Sequence, residues 1–520
     1  MVATVWGTSI EGLNAHFIRV EVDIANGLPA FEIVGLPTTA VREARERVRA
    51  AIRNCGFTFP LQRITVNLAP ADLRKEGSGL DLPIAAGILA ALGELPANLD
   101  HYVLFGELSL EGRLRPVPGV LTVTLALHKE QAGGQAVGRT LIVAPDNLEE
   151  ARLVDGVTSW SVASLTDLVG VLKGRQTPKE PAPTATDAEP PSAGSAGYRQ
   201  IDFRDIYGQQ HAKRALEIAA AGGHNIILVG PPGAGKTLLA NAYAGILPPL
   251  SREESLEVTQ IQSLAGILPA APLSLMGRRP FRSPHHTATL AAMLGGGQKM
   301  TPGEVALANH GVLFLDEMPE FSREVLEALR QPLEDRKVHI TRHKWKVDWP
   351  ARFTVVGTMN PCPCGYFGDQ GRPCRCSPQQ IKNYRSRISG PLLDRFDLQI
   401  EVPRLSFEDL RKRGEKGEAS AAVQQRVAEA RDLQNERFGK IMTNAEMNGP
   451  QTREVCSLDQ AGERLLKMVF DQHKMSARAH DRLLRVARTI ADLARCPAIR
   501  MEHIAEALQY RALDMEIPDF

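Results

Sequence analysis

Residues 230–237 read GPPGAGKT, which meets the pattern G-x-x-x-x-G-K-[ST]. Gly230, Gly233 and Gly235 let backbone N–H groups turn inward around a polyphosphate, with Pro231, Pro232 and Ala234 completing the loop. Lys236 is placed to reach the β- and γ-phosphates and the Thr237 hydroxyl to ligate Mg²⁺. Farther on, VLFLDE sets two carboxylates at the end of an apolar run. Asp316 is expected to hold Mg²⁺ through water, and Glu317 to orient and polarise an attacking water. ATP and Mg²⁺ are therefore the expected ligands, and a site that binds nucleotide without hydrolysing it is the alternative. A second constellation gathers four of the seven cysteines within 15 residues: Cys362, Cys364, Cys374 and Cys376, spaced C-P-C, nine residues, C-R-C. Four thiolates suit Zn²⁺, although C-x-C is tighter than the usual C-x₂₋₄-C. Reduced, unliganded thiols and an iron–sulfur cluster are the other readings.

These residues need elements to hold them. An amphipathic helix near 209–221 leads into the apolar strand HNIILVG, so the Gly-rich loop has the strand–loop–helix setting its chemistry requires. VLFLDE reads as a buried strand, and FTVVGTMN as another that ends at Asn360. Between the cysteine pairs, GYFGDQGRP has too little apolar mass to fold alone, so a structural zinc would contribute folding free energy directly. Residues 173–199 read as a flexible linker: from Lys173 to Gly197 the chain is rich in proline and alanine, with nothing to fill a core. Before it, residues 1–172 alternate β-rich runs (HFIRVEVDIA, RITVNLA, TLIVAP) with helical patterns such as VREARERVRAAIRNCG, an α+β or α/β module.

The chain has 520 residues, 43% hydrophobic and 23% charged, with a formal net charge of +1. That is ordinary for globular protein, and any nucleic-acid footprint must be local. The first residues lack the basic and apolar regions of a signal peptide, and the run LPIAAGILAAL is too short to span a bilayer. A cytoplasmic location with no membrane partner is expected, and in that reducing compartment clustered cysteines favour metal over disulfides.

The motifs after the linker resemble those of AAA+ ATPases, and the resemblance assigns further roles. Asn360 matches sensor 1, which reads the γ-phosphate. In RISGPLLDRFDLQIEVP, Arg395 matches the arginine finger that reaches a neighbouring subunit's phosphate, worth about 10³–10⁵-fold in turnover. The alternative is that Arg395 only pairs with Asp394 or Asp397. In MSARAHDRLLRVARTIADLAR, Arg478 matches the sensor 2 arginine, while Arg482, Arg485 and Arg488 read as solvated or structural. A finger supplied in trans implies a ring. Between Asp335 and FTVVGT, the basic stretch RKVHITRHKWKVDWPAR lies where helicases of the MCM type and chelatase-like relatives carry a pore hairpin. Arg336, Lys337, Arg342, Lys344, Trp345 and Lys346 are the candidate DNA contacts, suited to tracking phosphates and stacking on bases. A solvated turn with a core-facing Trp345 is the bland alternative. The stretch GRRPFRSPHH, with its histidine pair, is a weaker candidate for a pore or intersubunit role.

Taken with RSPHHTAT at 282–289 and TPGEVALANHGVLFLDE at 301–317, the chain resembles magnesium-chelatase-like AAA+ proteins of the ComM/YifB group. The fold class expected is α/β: a P-loop core over 200–404 with a four-cysteine insert at 362–376, and a helical lid over 405–520. It is preceded by a domain resembling that of Lon proteases (ribosomal S5 domain 2-like). KEGSGLDLPIAAGILAALG and GELSLEGRLRPVPGV carry that second resemblance, but Ser78 is displaced and no lysine follows Pro118-Gly119 before Lys129. A serine nucleophile needs that amine to deprotonate it, so the domain is expected to lack peptidase activity. The ComM/YifB resemblance implies a hexameric ATP-driven helicase that promotes branch migration on single-stranded and branched DNA during recombination in natural transformation. A recombinase is a further candidate partner. A chelatase-type motor acting on a protein or metal-insertion partner is the alternative.

Overall fold

The computed structural model describes residues 2–134, 138–179, 201–268, 273–297, 300–342, 345–369, 371–405, 417–473 and 475–511. The chain forms two compact units, Met1–Pro191 with Ser255–Met276, and Ser192–Glu254 with Gly277–Phe520.

The first unit runs β1 (Ala3–Glu11), β2 (Asn14–Ala25), β3 (Ala30–Val34), α1 (Thr39–Asn54), β4 (Arg63–Ala69), α2 (Asp81–Ala91) and β5 (Asn98–Leu104). There follow β6 (Glu107–Leu108), β7 (Leu114–Arg115), α3 (Val120–Ala132), β8 (Thr140–Val143), α4 (Leu148–Ala151), β9 (Ser159–Ser161) and α5 (Leu165–Leu172). Seven strands make one mixed sheet in the order β3-β4-β2-β1-β5-β8-β9. Period-two alternation buries Ile18, Val20 and Val22 of β2 on one face. Helix α1 buries Val41, Ala44, Val48, Ala51 and Ile52, the stripe expected of a helix laid on a sheet. The apolar run that is too short for a bilayer is α2, a core helix whose first-turn Asp81 meets Arg47 through two bonds of 2.7 and 2.9 Å. Among the described residues no helix is long and apolar enough to cross a membrane.

The second unit opens with α6 (Gln210–Gly222), β10 (Ile226–Val229), α7 (Lys236–Tyr243) and α8 (Arg252–Ala265). It continues through β11 (Phe281–Arg282), α9 (Leu290–Leu294), β12 (Gly295–Gly296), β13 (Thr301–Pro302), α10 (Glu304–Leu307) and β14 (Val312–Leu315). Next come α11 (Arg323–Ala328), α12 (Arg330–Asp335), β15 (Lys337–Arg342), β16 (Trp345–Pro350), β17 (Thr354–Met359), α13 (Pro378–Arg385), α14 (Gly390–Leu393) and β18 (Leu398–Glu401). Five of these strands form a parallel sheet in the order β11-β14-β17-β10-β18. Their near-continuous apolar runs (IILV, VLFL) are what a sheet buried on both faces demands. The helices α15 (Ser420–Phe438), α16 (Gly449–Val455), α17 (Gln460–His473), α18 (Ala477–Leu493) and α19 (Met501–Leu508) follow. Leu483, Val486 and Ile490 of α18 are buried, as their helical spacing predicts.

Ser255–Met276, which include most of α8, pack with the first unit although they lie in sequence between α7 and β14. Gln260 donates to the Leu13 carbonyl at 2.9 Å and to the Thr122 hydroxyl at 3.1 Å. Ser263 accepts from the Gly119 N–H at 2.9 Å and donates to Glu150, which also accepts from the Leu121 N–H at 2.7 Å. Burial raises the Glu150 pKa, against the opposing effect of these donors. The turn that leads into α3 is thus closed by Glu150 and Ser263, its N–H groups already satisfied.

Candidate nucleotide and metal site

Parallel strands deliver their carboxyl ends to one edge of the sheet, and the register decides what meets there. Val229 of β10 pairs with Met359 of β17, so Gly230 and Asn360 leave the sheet together. Leu315 of β14 pairs with Gly357, which sets Asp316 level with Thr358. Glycine is required at 230 because a Cβ there would lie 2.2 Å from the Val402 carbonyl oxygen. The loop then enters α7 at Lys236, with Gly235 as its N-cap.

Lys236 Nζ donates to the Gly230 and Pro231 carbonyls at 2.7 and 3.0 Å and to Asn360 Oδ1 at 3.1 Å. Burial lowers its pKa, while Asp316 and Glu317 pull the other way. The ammonium sits where a phosphate would replace the carbonyls as its partner. Thr237 Oγ1 lies 3.3 and 3.4 Å from the two Asp316 oxygens. Those three oxygens fit a hard dication, which prefers oxygen ligands and neutralises phosphate charge when bound. Thr358 donates to Asp316 Oδ1 at 2.6 Å and accepts from the Glu317 N–H at 2.9 Å. Glu317 takes φ of 50°, a left-handed conformation unusual for a side chain of its type, and its carboxylate is exposed at the site. Asn360, Lys236, Thr237, Asp316 and Glu317 are thus gathered at one edge, as the motif spacing predicts.

The cysteine insert abuts the same edge. The Sγ atoms of Cys362, Cys364, Cys374 and Cys376 all lie within 4.8 Å of one another. Cys362 to Cys364, Cys362 to Cys374 and Cys364 to Cys374 are 3.4, 3.7 and 3.6 Å. Four thiolates at tetrahedral Zn–S distances would stand about 3.8 Å apart, so the donor set fits. The N–H groups of Arg375 and Tyr366 pull the Cys364 thiol down to about 6. The Cys362–Gly365 turn rests on the phosphate loop: Gly365 has φ of 83°, and a Cβ there would fall 2.6 Å from Pro232 Cδ. Arg385 of α13, which follows the loop, donates back to the Pro361 carbonyl at the loop's start at 3.2 Å.

Arg395 lies in the turn before β18, braced by several bonds. Asn225 Nδ2 donates to its carbonyl at 2.9 Å, Asp397 N–H donates to the Asn225 carbonyl at 3.0 Å, and Arg482 of α18 binds Asp394 at 3.1 Å. Buried His224 joins Asp397 at 3.1 Å to Thr489 of α18 at 2.8 Å. The guanidinium of Arg395 pairs with neither neighbouring aspartate but with Glu334. Arg478 is exposed in the first turn of α18, whereas Arg488 is buried on Asp492 at 3.1 Å and Arg485 bonds the Ala445 carbonyl at 2.9 Å, both structural.

The basic stretch is a two-stranded antiparallel hairpin, β15–β16, outside the five-stranded sheet. Val338, Val347 and Trp349 are buried, and Lys337 and Lys346 are exposed. Arg336 instead turns the chain at φ of 56° and donates to the Phe353 carbonyl at 3.2 Å. Arg342 and Trp345 belong to the paired strands, and Lys344 lies outside the described residues. Sequence reasoning missed Thr358, although strand alternation puts it on the same face as Asn360. It also missed His224 and Glu334, whose roles depend on residues far away in the chain.

Three family models match: magnesium chelatase subunit ChlI over residues 202–410, subunit ChlI of Mg-chelatase over 20–144, and the ChlI C-terminal region over 417–511. The competence protein ComM of Haemophilus influenzae is 46% identical over 98% of this chain and 97% of its own. The chain belongs to the ComM/YifB family. YifB of Escherichia coli is 47% identical over 97% of this chain and 96% of its own length. The magnesium-chelatase 38 kDa subunit of Rhodobacter capsulatus is 29% identical over 45% of this chain and 64% of its own. This ComM/YifB chain therefore carries a magnesium-chelatase-like AAA+ core, and the sheet order above is the scaffold on which its nucleotide loop is mounted.

Proposed function

We propose that the chain is a cytoplasmic, Mg²⁺-dependent ATP hydrolase that assembles into a hexameric ring and moves DNA strands, a helicase or branch-migration factor in recombination of incoming DNA. The observation that carries this reading is the basic hairpin β15–β16, set in sequence between β14, which Asp316 follows, and β17, which Asn360 follows. A displacement of the hairpin is thereby linked through α11 and α12 to the two carboxylates, and through β17 to Asn360. The full-length likeness to a competence protein supports DNA as its ligand. Thr237 and Asp316 hold the Mg²⁺, Glu317 orients the water, and Arg395 and Arg478 read nucleotide in trans and in cis. Cys362, Cys364, Cys374 and Cys376 would hold Zn²⁺, which would stiffen the knuckle that rests against Pro232. In the first unit the occupied turn before α3 supports a Lon-like domain without peptidase activity, kept for assembly or partner binding, a recombinase among the candidates.

The test is the ATPase rate with single-stranded, duplex and four-way-junction DNA, with Lys236→Ala as the blank. Stimulation that falls with rising salt, as phosphate contacts require, is the expected result. A flat response to all three would reject the DNA motor. It would favour the chelatase-type reading that the matched ChlI models support, with a protein or metal-insertion partner as substrate.

A further inference from the structure

The arginine assigned as finger is folded back onto its own subunit. Its Nη1 donates to the Pro391 carbonyl at 2.8 Å and its Nη2 pairs with the Glu334 carboxylate. The Arg395 side chain is only 16% exposed, whereas that of Glu334 is 60% exposed. The two flanking aspartates are engaged elsewhere, Asp394 by Arg482 and Asp397 by His224. The backbone around Arg395 is held by Asn225 and Arg482, so an outward excursion of the guanidinium is a rotamer change that leaves the turn in place. What such a change must break is the ion pair with Glu334 and the bond to the Pro391 carbonyl.

Glu334 is the last residue but one of α12, and Arg336 next turns the chain into β15. The carboxylate that restrains the finger therefore stands at the foot of the basic hairpin. A pull on the hairpin acts on Glu334 through two residues of backbone, while Arg395 stays anchored to β10 and α18 by the bonds above. An ion pair with one largely solvated partner is weak enough for such a pull to open it.

We propose that Glu334 is a latch on the arginine finger: it keeps Arg395 turned in until the hairpin is loaded with DNA, then releases it toward the neighbouring subunit's nucleotide. Glu334 is a positioning residue in this scheme, acting through Arg395. The inference rests on the reading of Arg395 as the finger and of the hairpin as the DNA element.

The experiment measures turnover per ring, with and without four-way-junction DNA, for the full chain and for Glu334→Gln, Glu334→Asp and Glu334→Gln with Arg395→Ala. Sedimentation velocity at the same concentrations fixes the ring population. Glu334→Gln is expected to raise DNA-free turnover about fivefold, the equivalent of losing an exposed ion pair of about 1 kcal/mol. DNA-saturated turnover should stay at the parent level, so the stimulation ratio shrinks by the same factor. Glu334→Asp should lie nearer the parent, and the gain should vanish in the double variant. DNA-free turnover that is unchanged or lower in Glu334→Gln overturns the latch. So does a gain that persists without Arg395, or one that only follows a larger ring population. A parent enzyme indifferent to DNA would reject the DNA reading separately, because the DNA-free gain in Glu334→Gln tests the latch by itself.

Discussion

Replacing Thr358 by valine removes one hydroxyl and almost no volume, from a residue 1% exposed on the strand between β10 and β14. That hydroxyl makes two bonds, donating to Asp316 at 2.6 Å and accepting from the Glu317 N–H at 2.9 Å. A hydrogen bond to a charged group contributes about 1.5–3 kcal/mol, and a buried donor left without a partner costs about 1–3 kcal/mol. Glu317 already sits at φ of 50°, a conformation about 1–2 kcal/mol uphill for an L-residue, and Thr358 is what anchors its backbone there. If about 2.7 kcal/mol of this sum appears as misplacement of the two carboxylates in the transition state, kcat falls about 100-fold. Lys236 is bonded to Gly230, Pro231 and Asn360, none of which Thr358 touches by these bonds, so ATP affinity should change little. Steady-state hydrolysis, paired with titration of a fluorescent ATP analogue, separates the two effects. A kcat within about twofold of the parent would refute the argument that this hydroxyl holds the water-activating carboxylate in place.

Cys362→Ser should lose bound zinc, read by elemental analysis, and lower the melting temperature, because the knuckle has little apolar mass of its own; zinc retained at the parent stoichiometry would count against the four-cysteine site. Glu254 is buried between Arg279, at 2.9 Å, and His310, at 3.3 Å; burial pushes its pKa up, but these partners outweigh it and hold the carboxyl well below its ordinary 4.5. A depressed folded pKa contributes stability that is present above the unfolded value and lost as pH falls, so Glu254→Gln should cost about 3 kcal/mol in urea unfolding at pH 7. The gap between variant and parent should narrow below pH 4.5, and a gap independent of pH would reject the ion-pair account.

The parts of the site that follow from local pattern were legible in the sequence. GPPGAGKT and VLFLDE carry their own strand context, and β10, β14 and β17 form where the apolar runs place them. The cysteine spacing likewise pointed to a shared ligand set, and the four sulfurs do converge. What could not be read was pairing across distance. Sequence offered Asp394 and Asp397 as partners for Arg395, because both are near it in the chain, yet the partner is Glu334, delivered by a helix that ends just before the hairpin. His224 looked like the lead-in to a strand, and its contacts with Asp397 and Thr489 depend on how α18 packs. Arg336 counted as one more positive charge in a basic run, but the turn out of α12 directs it to a carbonyl. Periodicity reports which face a residue occupies, and it is silent on which distant element shares that face.

The placement of Ser255–Met276 in the first unit has a consequence for how the chain is made. A ribosome that has released residues up to Leu172 has not yet supplied Ser263, which helps close the turn before α3, or Gln260, which bonds Leu13 and Thr122. About 100 further residues must emerge, which takes about 5–20 s at ordinary rates of synthesis. Through that interval Glu150 lacks one of its donors and Thr122 its partner, and before it ends the phosphate loop has left the tunnel. The first unit can therefore be finished only after the second has begun to emerge, and a nascent chain stalled before residue 276 should be markedly more open to proteolysis around α3 than one stalled after it.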